Sequence, residues 1–345
     1  MVDLKKILIV GGAGFIGINA ANHYLKKGYY VEIFDNLSRE GSKQNVKWLE
    51  ENNHSENLRI TLGNIAKDYD KLRDCVGRVD YVLHLAAQVA VTSSVINPRD
   101  DFESNALGTF NLLEAIRNSD NKPPIIYSST NKVYGEMKGL EIIEGNESYQ
   151  YKDLAEGVSE NVNLDFHSPY GCSKGCADQY VIDYSRIFGI KSIVMRQSCI
   201  YGYRQFGIED QGWVAWFAIA ALLDKPITIY GDGKQVRDIL FIEDLINLFD
   251  IAFEKIDLIS GGAYNIGGGP QNKISVLGVI KFLEKMFNKK ISYKFSEWRP
   301  GDQKVYISDI SKVKRDLGWE PKRGIGDGIM ALCKWVKENR ELFEK

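Results

Sequence analysis

Short apolar runs alternate with longer mixed segments through the first half of the chain. Runs of this length, bounded by glycine or polar residues, are typical of buried strands. The longer segments, among them residues 18–27, 106–117 and 175–188, predict helices. Strands that alternate with helices indicate βαβ units and therefore an α/β fold with a doubly wound parallel sheet. The predicted strands are residues 7–10, 31–34, 58–62, 81–85, 125–127 and 192–196.

Glycines follow the first predicted strand directly, in the stretch Gly11-Gly12-Ala13-Gly14-Phe15-Ile16-Gly17. A predicted helix comes next, so strand, glycine turn and helix stand in the order of a Rossmann dinucleotide site. Such glycines let the backbone approach a pyrophosphate, which the helix N-terminus stabilises. The stretch therefore predicts a bound dinucleotide, the alternative being an ordinary turn rich in glycine.

Asp35 bears on which dinucleotide binds. It ends the second predicted strand, about 20 residues after the glycines, where a ribose-binding carboxylate belongs. A carboxylate there accepts hydrogen bonds from both ribose hydroxyls and repels a 2′-phosphate, which favours NAD. Arg39 could instead receive that phosphate, so NADP stays open on this argument alone.

Small or polar residues stand at the carboxyl ends of several predicted strands. In a doubly wound sheet these ends border the ligand crevice. The residues that we expect there are Gly11, Asp35, Ala86, Ala87, Gln88, Ser128, Ser129, Thr130 and Ser198.

Tyr170 and Lys174 are four residues apart, so they share one face of a helix. A free phenol has a pKa of about 10, and a neighbouring ammonium lowers that pKa because it favours the phenolate. The hydroxyl of Thr130 can add a hydrogen bond to the same oxygen or to a substrate. We therefore predict a base that removes a proton from an alcohol near neutral pH. The alternative is a surface pair of the kind that arises by chance.

Residues 137–168 break the alternation. The segment is rich in Glu and Asp and carries few helix or strand signals. A structureless loop of about thirty residues within a compact domain is usually functional or disordered. Because the segment leads directly into Tyr170, we favour a substrate-side flap over a disordered insertion.

The sequence changes character after residue 196, with many aromatic residues and glycine turns. An apolar run over 239–242 leads into a predicted helix from about residue 243, and two later segments also predict helices. We infer a dinucleotide-binding domain over residues 1–196 and 236–267. A smaller, discontinuous substrate-binding domain is expected over residues 197–235 and 268–345.

Composition is ordinary for a globular protein of 345 residues, with 44% hydrophobic and 26% charged residues. The balance of 44 basic and 46 acidic side chains gives no electrostatic argument for binding nucleic acid or a membrane. The first predicted strand begins almost at residue 1, which leaves no room for a signal peptide. The longest apolar stretch, residues 213–223, is too short to span a bilayer. A cytoplasmic protein is expected.

Neither the cysteines nor the histidines form a metal-binding pattern, so no metal is predicted. The cysteines are odd in number and lack paired ligand spacing, so reduced thiols are expected. Cys172 and Cys176 lie beside the predicted base and are interpreted as packing residues rather than redox-active thiols. The cysteines are Cys75, Cys172, Cys176, Cys199 and Cys333, and the histidines are His23, His54, His84 and His167.

With these residues in view, the chain resembles the extended short-chain dehydrogenase/reductase family of nucleotide-sugar enzymes over essentially its whole length. The glycine turn, the stretch Ser128-Ser129-Thr130, the Tyr170/Lys174 pair and the segment around Arg237 carry the resemblance. It implies that Thr130, Tyr170 and Lys174 are catalytic.

The resemblance also implies NAD as the cofactor. One stretch departs from the family, because Leu62-Gly63-Asn64-Ile65 stands where Gly-Asp is common beside the adenine. Asn64 can still bond adenine through its side-chain carbonyl. The implied cofactor-binding residues are Gly11, Gly14, Phe15, Ile16, Gly17, Asp35, Asn36, Ser38, Arg39, Asn64, Ile65, Leu85, Ala86, Ala87, Gln88, Asn105, Ser128, Tyr170 and Lys174.

Within the family, residues 35–39, 128–135, 165–174 and 201–206 are similar to enzymes that invert carbon 2 of a CDP-linked hexose. Related 4,6-dehydratases place an Asp-Glu pair directly after the Thr, where this chain has Asn131-Lys132. An amide and a cation are not a natural acid/base couple for removing water, so dehydration is disfavoured. Local chemistry leaves a carbon-4 epimerase open, and a net nucleotide-sugar dehydrogenase or a non-catalytic NAD-binding regulator are further alternatives.

Arg237 and Arg299 are candidates for binding the substrate diphosphate, because guanidinium pairs well with phosphate oxygens. Several amides and one hydroxyl are candidates for contacting the sugar, although each can equally be structural. The resemblance also implies a homo-oligomer, a dimer or tetramer, that pairs through helices starting near Ala106 and Tyr170. The remaining substrate candidates are Gln88, Asn131, Ser198, Gln205 and Gln211.

Overall fold

The computed structural model describes residues 4–53, 56–299 and 301–344. Most of the strands are short and follow the apolar runs of the sequence. In this part of the chain the strands are β1 Lys6–Val10, β2 Tyr30–Asp35, β3 Leu58–Leu62, β4 Tyr81–His84, β5 Ile125–Thr130, β6 Ile142–Glu144, β7 Tyr149–Tyr151, β8 Ser192–Gln197, β9 Cys199–Tyr201, β10 Ile227–Tyr230, β11 Val236–Phe241, β12 Gly262–Ile266, β13 Lys273–Ser275, β14 Tyr293–Ser296 and β15 Val305–Tyr306.

Helices lie between most of these strands, and one π-helical turn, Glu103–Leu107, leads into α6. Short 3-10 helices occur at Asn131–Tyr134, Pro270–Asn272 and Arg340–Leu342. The α-helices of the described residues are α1 Phe15–Lys26, α2 Ser42–Asn52, α3 Tyr69–Val76, α4 Val91–Ile96, α5 Pro98–Phe102, α6 Gly108–Arg117, α7 Ser168–Phe188, α8 Trp213–Leu222, α9 Ile242–Glu254, α10 Ile256–Ile259, α11 Val276–Phe287, α12 Ser311–Leu317 and α13 Ile325–Glu338.

The described residues form a seven-stranded sheet of order β12-β8-β5-β4-β1-β2-β3. The strands β1, β2, β3, β4 and β5 pair in parallel. Ile7, Leu8, Ile9 and Val10 of β1 are all buried, because a central parallel strand is covered on both faces. The predicted doubly wound parallel sheet is confirmed.

Two element boundaries differ from the sequence prediction in ways that matter for the site. Strand β5 continues to Thr130, beyond the predicted end at residue 127, so this hydroxyl belongs to the strand itself. Helix α7 begins at Ser168 rather than at residue 175, so Tyr170 and Lys174 both lie on it, as their spacing predicts.

Two compact units make up the chain. The first comprises Met1–Thr130, Pro169–Arg196 and Ile246–Tyr264, and the second comprises Asn131–Ser168, Gln197–Leu245 and Asn265–Lys345. These bounds differ from the predicted domains at residues 131–168, 236–245 and 265–267, which we expected in the first domain and which cluster with the second.

The second unit contains a smaller sheet in which β11 pairs with β13, β15 and β9. Strands β10 and β14 form a separate parallel pair, and helix α8 packs against α13. Tyr134, Tyr151, Val236 and Tyr306 belong to the buried apolar core of this unit. Of these residues, Tyr151 comes from the segment that we predicted as a loop.

The expectation of a structureless loop over residues 137–168 is wrong. Strands β6 and β7 pair there as an antiparallel hairpin, and Val158 forms a bridge to Ser308. Tyr149 and Tyr151 are buried, and the Tyr151 hydroxyl donates to the Val305 carbonyl at 2.9 Å. The segment is therefore a packed part of the second unit and not a structureless loop.

Candidate active site

The glycine turn of the first unit brings two strand ends close together. Gly11 has φ +83°, and a Cβ atom there would lie 2.5 Å from the Ala86 amide nitrogen. Gly14 is the N-cap residue of α1, and Phe15, Ile16 and Gly17 form the first turn. In the described structure no side chain caps this terminus and its first turn carries no acidic residue. Its amides are therefore available to an anion.

Asp35 ends β2 beside the same turn. One carboxylate oxygen accepts from the Ala13 amide at 3.0 Å and the other from the Leu37 amide at 2.7 Å. Asn36 accepts from the amide of Ser38 at 3.0 Å, which shapes the following loop as far as Arg39. The carboxylate is thus fixed at a strand end, where it retains lone pairs for ribose hydroxyls.

Asn64 and Ile65 follow β3, at the next strand along the sheet. The Asn64 side-chain oxygen accepts from the Ala66 backbone amide at 2.9 Å, and the backbone amide of Asn64 donates to the Asp68 carboxylate at 2.7 Å. The Asn64 oxygen, which we expected to accept a hydrogen bond from adenine, thus already accepts one within its own turn. Because a carbonyl oxygen has two lone pairs, a second bond remains possible.

Asn105 connects the loop after β4 to helix α7. Its side chain accepts from the Gln88 amide at 2.9 Å and donates to the Gln88 carbonyl at 3.1 Å. It also donates to the Ser173 hydroxyl at 2.9 Å. The Gln88 side chain itself bonds both backbone groups of Ala90. Leu85, which precedes Ala86 and Ala87, donates to the Val10 carbonyl. This network fixes the edge of the sheet where a nicotinamide is expected.

Tyr170 and Thr130 meet at the carboxyl end of β5. Their side chains are hydrogen-bonded, and their exposed fractions are only 8% and 6%. Burial raises the pKa of Tyr170 to about 12, while the bond to Thr130 and the charge of Arg39 act in the opposite direction. The Asp101 carboxylate adds to the increase.

Lys174 does not lower the pKa of Tyr170 as we expected. Its ammonium donates to the Ser128 carbonyl at 2.5 Å and lies 4.3 Å from the centre of the Tyr127 ring. Burial lowers the pKa of Lys174 to about 7, partly offset by Asp178 and Asp101. The prediction of a lowered phenol pKa is therefore wrong, because burial raises the pKa of Tyr170 more than the Thr130 bond and the Arg39 charge lower it.

Sequence reasoning missed two buried carboxylates behind this pair. Asp178 accepts from the Ser129 hydroxyl at 2.8 Å and from the Arg196 guanidinium at 2.9 and 3.0 Å. Asp101 accepts from Ser173. The spacing of Asp178, four residues after Lys174, is a signal that could have been used. Asp101 had no comparable signal, because α5 and α7 meet only in the folded chain.

The second unit holds the basic candidates for the diphosphate. Arg237 donates to Asp302 at 2.6 Å and to the Val236 carbonyl at 2.8 Å. Arg299 donates to Asp210 at 2.8 Å, and its guanidinium carbon lies 3.8 Å from the centre of the Tyr230 ring. Both guanidinium groups are positioned by an acidic partner, and Asp302 is a residue that sequence reasoning missed.

Apart from Gln88, which lies in the first unit, the remaining substrate candidates are in the second unit, and most are bonded within it. Ser198 donates to the Asp238 carboxylate at 2.5 Å, and Asn131 donates to Gln303 at 3.4 Å. Gln205 donates to the Ile200 carbonyl at 3.3 Å, while its buried oxygen has no partner in the described structure. Gln211 pairs with Ile208 through the backbone. Of this set, Gln205 keeps a buried acceptor for a ligand.

His84 ends β4 and is buried. It contacts the Thr109 hydroxyl at 2.9 Å, and burial lowers its pKa to about 3. His54 lies outside the described residues. The described ranges contain no group of three or more His, Cys, Asp or Glu residues that could hold a metal, and none of their helices is long and apolar enough to cross a membrane.

Comparison with known proteins decides the family. The sequence model of the GDP-mannose 4,6-dehydratase family matches residues 8–332. The chain belongs to this family. The resemblance to extended short-chain dehydrogenases/reductases of nucleotide sugars is thereby confirmed.

Individual members of the family cover nearly the whole chain. The chain is 44% identical to CDP-paratose 2-epimerase of Salmonella typhi, over 96% of this chain and 99% of that protein. It is 31% identical to UDP-glucuronate 4-epimerase of Thermodesulfobacterium geofontis, over 98% of each. The structure of UDP-glucuronic acid 4-epimerase from Bacillus cereus, in complex with UDP-glucuronic acid and NAD, superposes with a TM-score of 0.82 at 30% identity, over 97% of this chain and 99% of that one.

Proposed function

We propose that this family member inverts carbon 2 of a CDP-linked hexose, such as CDP-paratose, by transient oxidation with NAD. The observation that carries the reaction class is the buried hydrogen bond between Tyr170 and Thr130 at the carboxyl end of β5. The choice of carbon 2 as the inverted centre rests on the 44% identity to CDP-paratose 2-epimerase.

The residues at the glycine turn fit NAD. An uncapped helix N-terminus suits a pyrophosphate, and Asp35 at the end of β2 suits the two hydroxyls of an unphosphorylated ribose. Gly11, Gly14 and Asn64 would line the dinucleotide, with Asn105 and Lys174 nearer the nicotinamide. When bound, NAD supplies the acceptor and donor of a hydride.

The chain's own part in the reaction is proton transfer and orientation. Tyr170, as phenolate, removes the proton from the carbon-2 hydroxyl, and Thr130 orients that hydroxyl. The hydrogen bond from Thr130 and the charge of Arg39 favour the phenolate, which burial otherwise disfavours, and Lys174 would hold the nicotinamide ribose. The sugar, now a 2-keto hexose, presents its other face, and Tyr170 returns the proton to the oxygen.

The residues after Thr130 argue against dehydration, despite the name of the family. Asn131 donates to Gln303, and Lys132 donates to the Gly301 carbonyl at 3.2 Å. Elimination of water needs a general acid and a general base beside the sugar. The Asn131 amide has no ionisable proton for either role, so Asn131 and Lys132 do not form such an acid/base pair.

The active form is proposed to be a homo-oligomer in the cytoplasm. Helices α6 and α7 expose several large apolar side chains, among them Phe110, Tyr180 and Ile187. All of the cysteines are free thiols, which suits a reducing compartment.

The decisive experiment follows the product of a CDP-hexose by NMR in deuterated buffer. We expect inversion at carbon 2 without solvent deuterium there, because the same hydride returns. The Tyr170→Phe variant should lose about 10²–10⁴-fold in turnover, the usual contribution of a general base. Tyr180→Phe, which alters an exposed tyrosine of the same helix, is the matched control and should keep full activity.

Four outcomes would overturn the proposal in different ways. Stoichiometric accumulation of NADH would indicate a net dehydrogenase. Inversion at carbon 4 would indicate a 4-epimerase, and deuterium at carbon 2 would indicate enolisation. Unchanged turnover in Tyr170→Phe would exclude Tyr170 as the base.

A further inference from the structure

Lys132 lies in a cluster of charges within the second unit that the proposed reaction does not use. Its ammonium donates to the Gly301 carbonyl at 3.2 Å and lies 3.8 Å from one carboxylate oxygen of Asp302. The same oxygen accepts from Arg237 at 2.6 Å. One carboxylate therefore faces two cations.

The cluster is largely screened from solvent and carries an excess positive charge. The side chains of Lys132, Arg237 and Asp302 are 20%, 10% and 23% exposed. Excess charge in a partly buried site is unfavourable unless an anion neutralises it. Arg237 is already a candidate for the substrate diphosphate, so an anion bound to it would also come within the field of Lys132.

We propose that Lys132 is a third basic residue of the diphosphate site, acting with Arg237 and Arg299 on the β-phosphate of the nucleotide sugar. The β-phosphate is the one bonded to the sugar. Lys132 follows Thr130 by two residues, at most about 7.6 Å of backbone, so it belongs to the sugar end of the substrate. The inference rests on the proposed function only in requiring a nucleoside diphosphate sugar.

The titration of Lys132 provides a readout that a structural lysine would lack. Burial lowers the pKa of Lys132 to about 8, with Asp302 and the nearby Cys199 opposing the shift and Arg237 adding to it. Below this pKa the ammonium is charged and attracts phosphate, and above it the charge is lost. Bound diphosphate favours the charged form, so affinity should fall as pH rises through about 8.

The test measures binding of CDP and CMP to the full-length protein by titration calorimetry. Lys132→Gln should weaken CDP about tenfold, the loss of one charge-assisted contact. CMP lacks the β-phosphate, so its affinity should change less than about twofold. Lys304→Gln removes an exposed lysine of the same unit and should leave both affinities unchanged.

The conservative variant keeps the test decisive even if Lys132→Gln folds poorly. Lys132→Arg is charged at every pH used, so CDP binding should stay close to that of the natural protein at pH 7 and lose its fall above pH 8. In the natural protein the affinity should fall by up to about tenfold per pH unit there.

Other results would overturn the assignment. Unchanged CDP binding in Lys132→Gln, an equal loss for CDP and CMP, or the same pH profile in Lys132→Arg would each exclude a contact to the β-phosphate. If the protein binds these nucleotides as expected but does not invert carbon 2, the proposed reaction fails and the role of Lys132 stands. If CDP does not bind, UDP and dTDP with their monophosphates replace the pair, because the phosphates are common to all bases.

Discussion

Gly11 and Gly28 both adopt positive φ, at +83° and +79°, but they differ in their surroundings. A Cβ atom at Gly11 would lie 2.5 Å from the Ala86 nitrogen, whereas at Gly28 nothing lies within 4 Å. Gly28→Ala should therefore cost only the strain of the left-handed backbone, about 1–2 kcal/mol. Gly11→Ala should lose roughly 1–3 kcal/mol more through steric overlap, and it should lose bound NAD.

Urea unfolding and the NAD content of the purified variants check this pair. Equal free energies of unfolding would mean that the turn relaxes around a methyl group. Retention of NAD by Gly11→Ala would mean that close approach of β1 to the loop after β4 is not needed for the dinucleotide.

At the same scale, the sequence predicted that Tyr170 and Lys174 share a helix but not their electrostatics. The four-residue spacing of Tyr170 and Lys174 correctly predicted one helix face. Their pKa values depend on burial, which comes from strands and helices distant in the chain, and on Asp101, which reaches α7 only through tertiary contact. Local spacing therefore indicates the partners of a site, while the packed chain decides their ionisation.

At the level of elements, we expect the buried Tyr151 to stabilise the hairpin of β6 and β7. The Tyr151 hydroxyl donates to the Val305 carbonyl, so Tyr151→Phe leaves that buried acceptor unpaired and should cost about 1–3 kcal/mol. Ile143→Ala alters an exposed residue of the same hairpin and should change stability by no more than about 0.5 kcal/mol.

Limited proteolysis distinguishes a packed hairpin from a flap. Residues 137–168 should resist cleavage in the natural protein and in Ile143→Ala, and cleavage there should become faster in Tyr151→Phe. Rapid cleavage of the segment in the natural protein would contradict its packing against Val305.

The order of helices and strands was predictable where the chain forms local βαβ units and was not predictable where pairing is remote. Strand β11 pairs with β9, β13 and β15, whose residues lie before and well after it in the sequence. Strands of two or three residues such as β7 and β15 give too short a pattern to recognise. For this reason the alternation of apolar runs and helical segments predicted most of the first unit. Residues 131–168 and 236–245 were expected in the first domain but cluster with the second unit.

At the scale of the whole molecule, we expect copies of the chain to pair through α6 and α7. Phe110 and Tyr180 contact each other edge to face at 5.7 Å, and Ile187 on α7 is 62% exposed. In a twofold interface each residue occurs twice, so Ile187→Glu would bring two uncompensated charges into an apolar contact and should give monomers.

Leu258→Glu is the matched control, since Leu258 is 82% exposed on α10 of the same unit and its variant should keep the natural mass. Light scattering after size-exclusion chromatography gives the masses. A monomeric natural protein, or equal masses for the two variants, would contradict pairing through these helices.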